Sequence, residues 1–411
     1  MRQFKKSLII LLAAALVFVC LGCSDIVSYF EHQFSLPEDS VRFYTEGEEE
    51  KLLLTVEEIM AYESAYANCN GSWFRDQLKG EDLCIYNAYL YAMEHSYSGF
   101  ELYVADKDKD FYFIRDALSL DSPFLEQNYN NDGESCVLWS ANHIGERVHF
   151  KIGHFTQEAW QRKLEALDKC EKIVAGIPED CASAEEKMFY LFNYVCDNIE
   201  YTEYENLSAQ EYLYDAVIKG KTNCDGYSNM LSLLFNLIGV EACEAMGDNV
   251  LDDQQETSDE DDVGHTWVVA KLGNVFYNFD PTYEDSSSTE EGETAGLYFS
   301  FSDTMVDMKY IDCDDMRPKC TDTTRDFDYA HIVIDDTEKA SIKKVAKLTD
   351  SRIKQGETET LLVIKKVLSD REFDDFLDSY INKTKKISKV SASMVTVNDS
   401  FTSMKLRATP W

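Results

Sequence analysis

Basic side chains are scarce in this chain. Its 411 residues hold 39 Lys and Arg against 76 Asp and Glu, a formal charge of −37. A surface that negative repels phosphate backbones at ordinary salt, which excludes nucleic acid as a partner. Internal repeats and low-complexity tracts are also missing, acidic loops apart. No C-x-x-C pair with matching histidines occurs, so neither a structural zinc site nor any other metal or cofactor is expected. What is present is 45% hydrophobic, enough for a folded core and for two or three domains.

Several binding loops are approached and missed by single residues. Gly220-Lys221-Thr222 has the ending of a phosphate-binding loop, yet Asp215 stands where its first glycine is required. Asp106–Asp110 opens like a calcium loop, but Phe111 replaces the glycine and Ala117 the bidentate glutamate. Asn128–Gly133 opens the same way and has Trp139 at the glutamate position.

Long apolar runs are limited to one. Ser7–Val19 is uncharged, follows Arg2, Lys5 and Lys6, and ends in Cys20-Leu21-Gly22-Cys23. It is too short for an ordinary membrane-spanning helix and has the proportions of a secretory signal over residues 1–22. Gly22-Cys23 resembles the lipobox of bacterial lipoproteins, although Cys20 stands where an aliphatic residue is usual. That resemblance implies lipidation of Cys23 and an extracytoplasmic chain anchored in the cell membrane; a plain cleaved signal or an uncleaved anchor is the alternative. Loss of residues 1–22 removes three positive charges, and the mature charge becomes −40.

Twelve cysteines in an exported chain would normally form a disulfide framework. Here they are scattered without the short regular spacing of a stapled domain. Cys313 with Cys320, and Cys170 with Cys181, are near enough in sequence for local bridges, whereas Cys196 lies in an apolar helical pattern and reads as a buried thiol.

Charge also divides the chain. Residues 340–411 carry 14 Lys or Arg and 9 Asp or Glu, a net +5, so of the mature chain's −40 residues 23–339 alone hold −45. The expected organisation is an N-terminal accessory region at 23–180, a central domain at 181–320 and a small C-terminal α+β module at 321–411. In the module, Thr360–Val367 and Val390–Val397 read as strands and Asp370–Ile381 as an amphipathic helix. In the accessory region, Asp82–His95 reads as a helix with Leu83, Tyr86, Leu90 and Met93 on one stripe, and Glu101–Val104 and Arg147–Ile152 as strands.

The central domain has the sharpest signals. Ser183 and Glu186 form a capping box before a helix whose buried face is Met188, Leu191, Phe192, Val195 and Ile199. A second helix is expected over Ala209–Ile218, stopping at Gly220. Cys224 then precedes a run with Tyr227, Met230, Leu231, Leu234, Leu237 and Ile238 at helical spacing, ended by Gly239. A thiol at a helix N-terminus faces unpaired N–H groups and the positive dipole end, which favour thiolate and can supply an oxyanion hole.

Downstream, Gly264–Ala270 and Val275–Asp280 are β-rich runs joined around Gly273-Asn274, as in an antiparallel hairpin. A two-residue loop there, or one residue earlier, projects His265 and Asp280 from the same sheet face, opposite or diagonally adjacent. A three-residue loop would put them on opposite faces unless a bulge intervened. Cys224, His265 and Asp280 meet the needs of covalent acyl transfer as nucleophile, base and orienting carboxylate. Taken singly, each also suits a bland role: a buried helix-start thiol, a satisfied strand histidine, a turn residue before Pro281.

The blocks Cys224-Asp225-Gly226-Tyr227, Gly264-His265-Thr266-Trp267 and Phe279-Asp280-Pro281-Thr282-Tyr283 resemble, in this order, the bacterial transglutaminase-like domain. The helix ending Asn198-Ile199-Glu200-Tyr201 and the run Tyr298–Asp303 fit the same pattern, so the likeness covers residues 183–310. It implies an α+β, papain-like core in which a helix-start cysteine packs on an antiparallel sheet carrying histidine and aspartate. It also implies cysteine-dependent hydrolysis or acyl transfer at amides of a peptide, a protein or a cell-wall stem, with no cofactor. A non-catalytic envelope binding or scaffolding protein of the same fold is the alternative. Asn223 and Tyr214 are candidates for the second oxyanion donor.

This sequence departs from the family pattern in a long acidic insertion at Asp248–Asp262, with eight Asp or Glu in fifteen residues, and has a second acidic loop at Glu284–Glu293. Either these are solvated loops, or they rim the site and select cationic substrates such as lysine-bearing peptides.

Overall fold

The computed structural model describes residues 37–45, 47, 51–105, 111–124, 140–144, 147–152, 157–202, 212–249, 264–285, 297–306, 308–311, 316–397 and 400–411. The signal segment with Cys23, residues 106–110 of the first calcium-like loop and the whole of the second, Cys313, the insertion from 250 to 263 and the loop from 286 to 296 lie outside them, while Ala117 of the first lies in the helix Tyr112–Asp121.

Five short strands, β1 (Ser40–Tyr44), β2 (Lys51–Thr55), β3 (Gly99–Tyr103), β4 (Ser140–Ile144) and β5 (Arg147–Lys151), form an antiparallel sheet in the order β2-β1-β3-β5-β4. Helix α1 (Glu81–Glu94) packs within this region. The expected single apolar stripe is too narrow a description, because α1 buries residues on every side, from Cys84 through Leu90 to Met93. A helix enclosed all round needs no amphipathic pattern. Helices α2 (Tyr112–Asp121) and α3 (Gln157–Ala175) follow.

Helix α4 (Ala184–Asn198) begins at the expected capping box. Ser183 accepts from the Glu186 amide at 3.1 Å, and the Glu186 carboxylate accepts from the Ser183 amide at 2.7 Å. Its apolar face is buried through Met188, Leu191, Phe192 and Val195. Two-residue strands β6 (Glu200–Tyr201) and β7 (Lys221–Thr222) then pair in parallel. Between them the chain makes a short helix at Tyr212–Tyr214 that widens into a π turn at Asp215–Lys219 and ends at Gly220, whose φ of 68° suits glycine. Of the helix expected over Ala209–Ile218, the part from Tyr212 onward is observed as helix, and residues 209–211 lie outside the described ones.

Helix α5 (Cys224–Leu237) is the central element. It packs on an antiparallel sheet of β8 (Ala242–Asn249), β9 (His265–Leu272), β10 (Val275–Phe279) and β11 (Met308–Ile311) in the order β10-β9-β8-β11. This is the α+β, papain-like arrangement of helix on sheet. One hydrophobic cluster runs from Val41 and Phe43 of β1 through α1 and α5 to Trp267 and Phe279.

The C-terminal sheet joins β12 (Ile332–Ile334), β13 (Glu359–Ile364), β14 (Ile387–Val397) and β15 (Phe401–Pro410) in the order β12-β13-β15-β14. Helices α7 (Lys339–Lys354) and α8 (Asp370–Ile381) cover it around a core of its own that includes Val345, Leu362, Ile364, Phe376 and Met404. Directly after β10, Asp280 caps the one-turn helix α6 (Pro281–Glu284). Among the described cysteines Cys170 and Cys181 are free thiols, so the local bridge considered for them is not formed.

Candidate active site

Cys224 is the first residue of α5, directly after the extended N-cap residue Asn223, and is 8% exposed. The helix start is held closely against β7. A Cβ on Gly226 would lie 2.1 Å from Thr222 Oγ1, so glycine is the residue that lets the first turn approach the strand. Beyond that turn α5 buries polar as well as apolar residues. Ser228 donates to the Thr266 carbonyl at 2.9 Å, and Asn229 to Glu244 at 2.8 Å. Tyr227 donates to the Ile199 carbonyl at 3.1 Å and to the Asp285 carboxylate.

The β9–β10 hairpin closes with the two-residue Gly273-Asn274 turn, in which Val275 pairs with Leu272 and Phe279 with Val268. Gly273 has a φ of 66°, as a tight hairpin turn demands. One further step in this register sets Asp280 beside Trp267 and diagonal to His265. The side chains do meet: His265 Nε2 and Asp280 Oδ2 are 2.7 Å apart, with side-chain exposures of 11% and 2%. Asp280 uses its second oxygen as an N-cap, accepting from the Tyr283 amide at 2.9 Å. The carboxylate is therefore fixed from two sides.

With Nε2 bound to Asp280, Nδ1 is the ring nitrogen left for Cys224, whose side chain is hydrogen-bonded to the imidazole. Burial alone would lower the His265 pKa; the charge and hydrogen bond of Asp280, joined by Cys224, outweigh it and raise it to about 10. Cys224 is 8% exposed as a residue and the His265 side chain 11%, while the Asp280 side chain is shut away at 2%.

Cys224, His265 and Asp280 thus converge. Asn223 is less available as an oxyanion donor than its position suggested, because its Nδ2 donates to Asp225 at 3.0 Å. Tyr214 lies half-buried, with the Lys219 ammonium over its ring. Three neighbours escaped the sequence reading. Thr266 and Asp225 join strand to helix at 2.8 Å, and Tyr283 stacks on His265. All three stand in the quoted motif blocks, but a motif shows order along the chain and not which side chains meet. Among the described residues no group of three or more His, Cys, Asp or Glu could hold a metal ion, and no helix is long and apolar enough to cross a membrane.

A thiol, an imidazole and a carboxylate in series on a helix-and-sheet core define a class of site that is familiar from cysteine enzymes. Residues 171–281 match the Transglutaminase-like superfamily, and the chain carries a domain of that superfamily there. No curated protein matches the chain. Three solved structures are similar in part. One is described as the crystal structure of a TGase, at 16% identity and a TM-score of 0.24, covering 35% of this chain and 43% of that one. Another is a "putative cysteine protease" from Cytophaga hutchinsonii, at 10% identity and a TM-score of 0.22, covering 35% and 61%. The third is a "putative protease" from Parabacteroides distasonis, at 11% identity and a TM-score of 0.23, covering 67% and 62%. The matches span less than two thirds of each of those chains.

Proposed function

We propose that this is an extracytoplasmic, lipid-anchored cysteine enzyme acting on amides of peptides, proteins or cell-wall stems, with Cys224, His265 and Asp280 as its catalytic residues and Cys23 as its lipidation site. The transglutaminase-like domain supports cysteine-dependent amide chemistry as the class. The observation that carries the reading further is His265 held between Cys224 and the buried Asp280.

In this chemistry the proton given up by the Cys224 thiol is held on His265, whose pKa is raised to about 10, while Cys224 Sγ bonds to the amide carbonyl carbon. The carbon–nitrogen bond then breaks, and the amine leaves with the proton from His265. The thioester is opened by water or by a second amine, whose proton passes to His265 as the carbonyl carbon–sulfur bond breaks. The proton returns to sulfur, releasing an acid or a new amide. Asp280 orients the ring and balances its charge at each stage. The acidic segments at Asp248–Asp262 and Glu284–Glu293 favour a cationic substrate; neutralising Asp259, Glu260, Asp261 and Asp262 raises KM for a basic peptide at low salt more than for a neutral one, and equal effects reject that preference.

Site-resolved iodoacetamide labelling tests the core of the reading. Burial pushes Cys84 up to about 11 and Cys69 up to about 12, and Cys170, Cys196, Cys243 and Cys320 higher still. Cys224 should label far ahead of all six, and His265→Ala should remove its lead. Uniform labelling would discard catalysis in favour of a binding or scaffolding role.

A further inference from the structure

The nucleophile and the base sit on different elements, a helix and a strand, and nothing covalent near the site fixes their separation. The residue after each of them does. Thr266, next to His265, donates through Oγ1 to Asp225 Oδ1 at 2.8 Å, and Asp225 is next to Cys224. The other oxygen of Asp225 accepts from Asn223 Nδ2 at 3.0 Å, on the opposite chain side of Cys224. Tyr212, from the short helix before β7, adds a third hydrogen bond to the same carboxylate. One turn further along α5, Ser228 Oγ donates to the Thr266 carbonyl at 2.9 Å, so Thr266 is tied to the helix through both its side chain and its backbone.

We infer that Asp225 is a positioning residue, whose carboxylate clasps Thr266 to Asn223 and thereby sets the spacing between Cys224 and His265. The inference rests on the reading of those two residues as nucleophile and base. Only a side chain with two acceptor oxygens at this place can take both donors at once. A purely electrostatic role is the wrong sign for the chemistry, since a negative charge beside Cys224 disfavours its thiolate. The bridge bonds make sense of a carboxylate there; its charge alone does not.

The decisive variant is Thr266→Val, which removes the hydroxyl donor and changes no charge. The measurement is the rate of iodoacetamide alkylation at Cys224 of the full chain, followed by peptide mass spectrometry across pH, with thermal melting alongside. We expect the rate near neutral pH to fall about ten-fold, the acid limb of the profile to move to higher pH, and Thr266→Ser to restore both. The double variant Asp225→Ala/Thr266→Val should be no slower than Asp225→Ala alone, as for two ends of one interaction. If Thr266→Val does not fold, Thr266→Ala takes its place.

An unchanged profile in Thr266→Val, with or without a lower melting temperature, overturns the inference. So does a profile that moves only in Asp225→Asn and toward lower pH, which is the signature of charge alone. Failure of the underlying reading looks different: wild-type Cys224 would then react no faster than the partly exposed Cys181, and His265→Ala would change nothing.

Discussion

Tyr283 lies face to face with His265, the ring centroids 4.3 Å apart and the planes inclined by 8°. The same residue donates its backbone amide to Asp280. One position therefore covers the imidazole with its ring and holds the carboxylate with its backbone. A protonated imidazole is a cation against the electron-rich face of the phenol ring, a contact of about 1 kcal/mol at a partly desolvated site. Tyr283→Leu keeps the amide and loses the ring, so the rate of Cys224 acylation, or of its alkylation, should fall several-fold to about ten-fold. Tyr283→Phe keeps the face and should stay close to wild type. Equal losses in the two variants would place the effect in the hydroxyl instead.

The His265–Asp280 pair makes stability depend on pH. His265 titrates near 10 in the folded chain, above the ordinary histidine value of about 6.5 that the unfolded chain would show. A raised value means that the folded state binds the proton more tightly. The stabilisation is therefore complete below about 6.5 and is lost as pH rises toward 10. Asp280→Asn removes the charge that raises the pKa, so its melting temperature should lag the wild type most in mildly acidic buffer and draw level as pH approaches 10. A gap that does not vary with pH would mean that Asp280 contributes only its capping bond to Tyr283.

Much of the site was legible because it depends on local rules. The capping box before α4, the helix start at Cys224 and the two-residue hairpin turn are each fixed by a few neighbouring residues. A two-residue loop implied the shared face of His265 and Asp280, and the pairing of Val275 with Leu272 selects that loop over a three-residue one. The even burial of α1 was not legible, since a helix covered on all sides carries no period for a pattern to reveal. Helix α7 and strand β15 of the C-terminal module went unassigned, although Ile342, Val345 and Ala346 show helical spacing in hindsight. Nor could the clasp through Asp225 be foreseen. Its ends are 41 residues apart in sequence, and nothing in the order of residues says that a threonine hydroxyl and a carboxylate will meet.

Beneath the pair, the Trp267 indole donates to Asn278 Oδ1 at 2.9 Å, and the Asn278 amide reaches the Phe301 carbonyl and Asp303 at 3.3 and 3.2 Å. All of Trp267 but 1% is buried, so its N–H has no access to water if that acceptor is removed. Asn278→Leu, close to the original volume, should cost roughly 2 kcal/mol through the orphaned indole donor. Chemical denaturation would read this as a lower midpoint at an unchanged slope. Trp267→Phe in the same background should recover part of the loss, because the stranded donor is then gone.

The contact between Gly226 and Thr222 makes the strongest steric prediction. A methyl group at residue 226 would meet Thr222 at 2.1 Å from Oγ1, 2.5 Å from Cγ2 and 2.7 Å from Cβ. Thr222 is itself fully buried and held in β7 against Tyr201. It has nowhere to retreat, so Gly226→Ala must push the first turn of α5 outward and carry Cys224 with it. We expect a loss of about 1–3 kcal/mol in stability, as for other overpacked cores, and slower labelling of Cys224 as its thiol moves away from His265. Thr222→Ala removes Oγ1 and Cγ2, the two nearest obstacles, and leaves Cβ. Combined with Gly226→Ala it should restore part of both losses. If labelling recovers no better than stability, the glycine serves packing alone; if it recovers further, the close approach of β7 helps to aim the thiol.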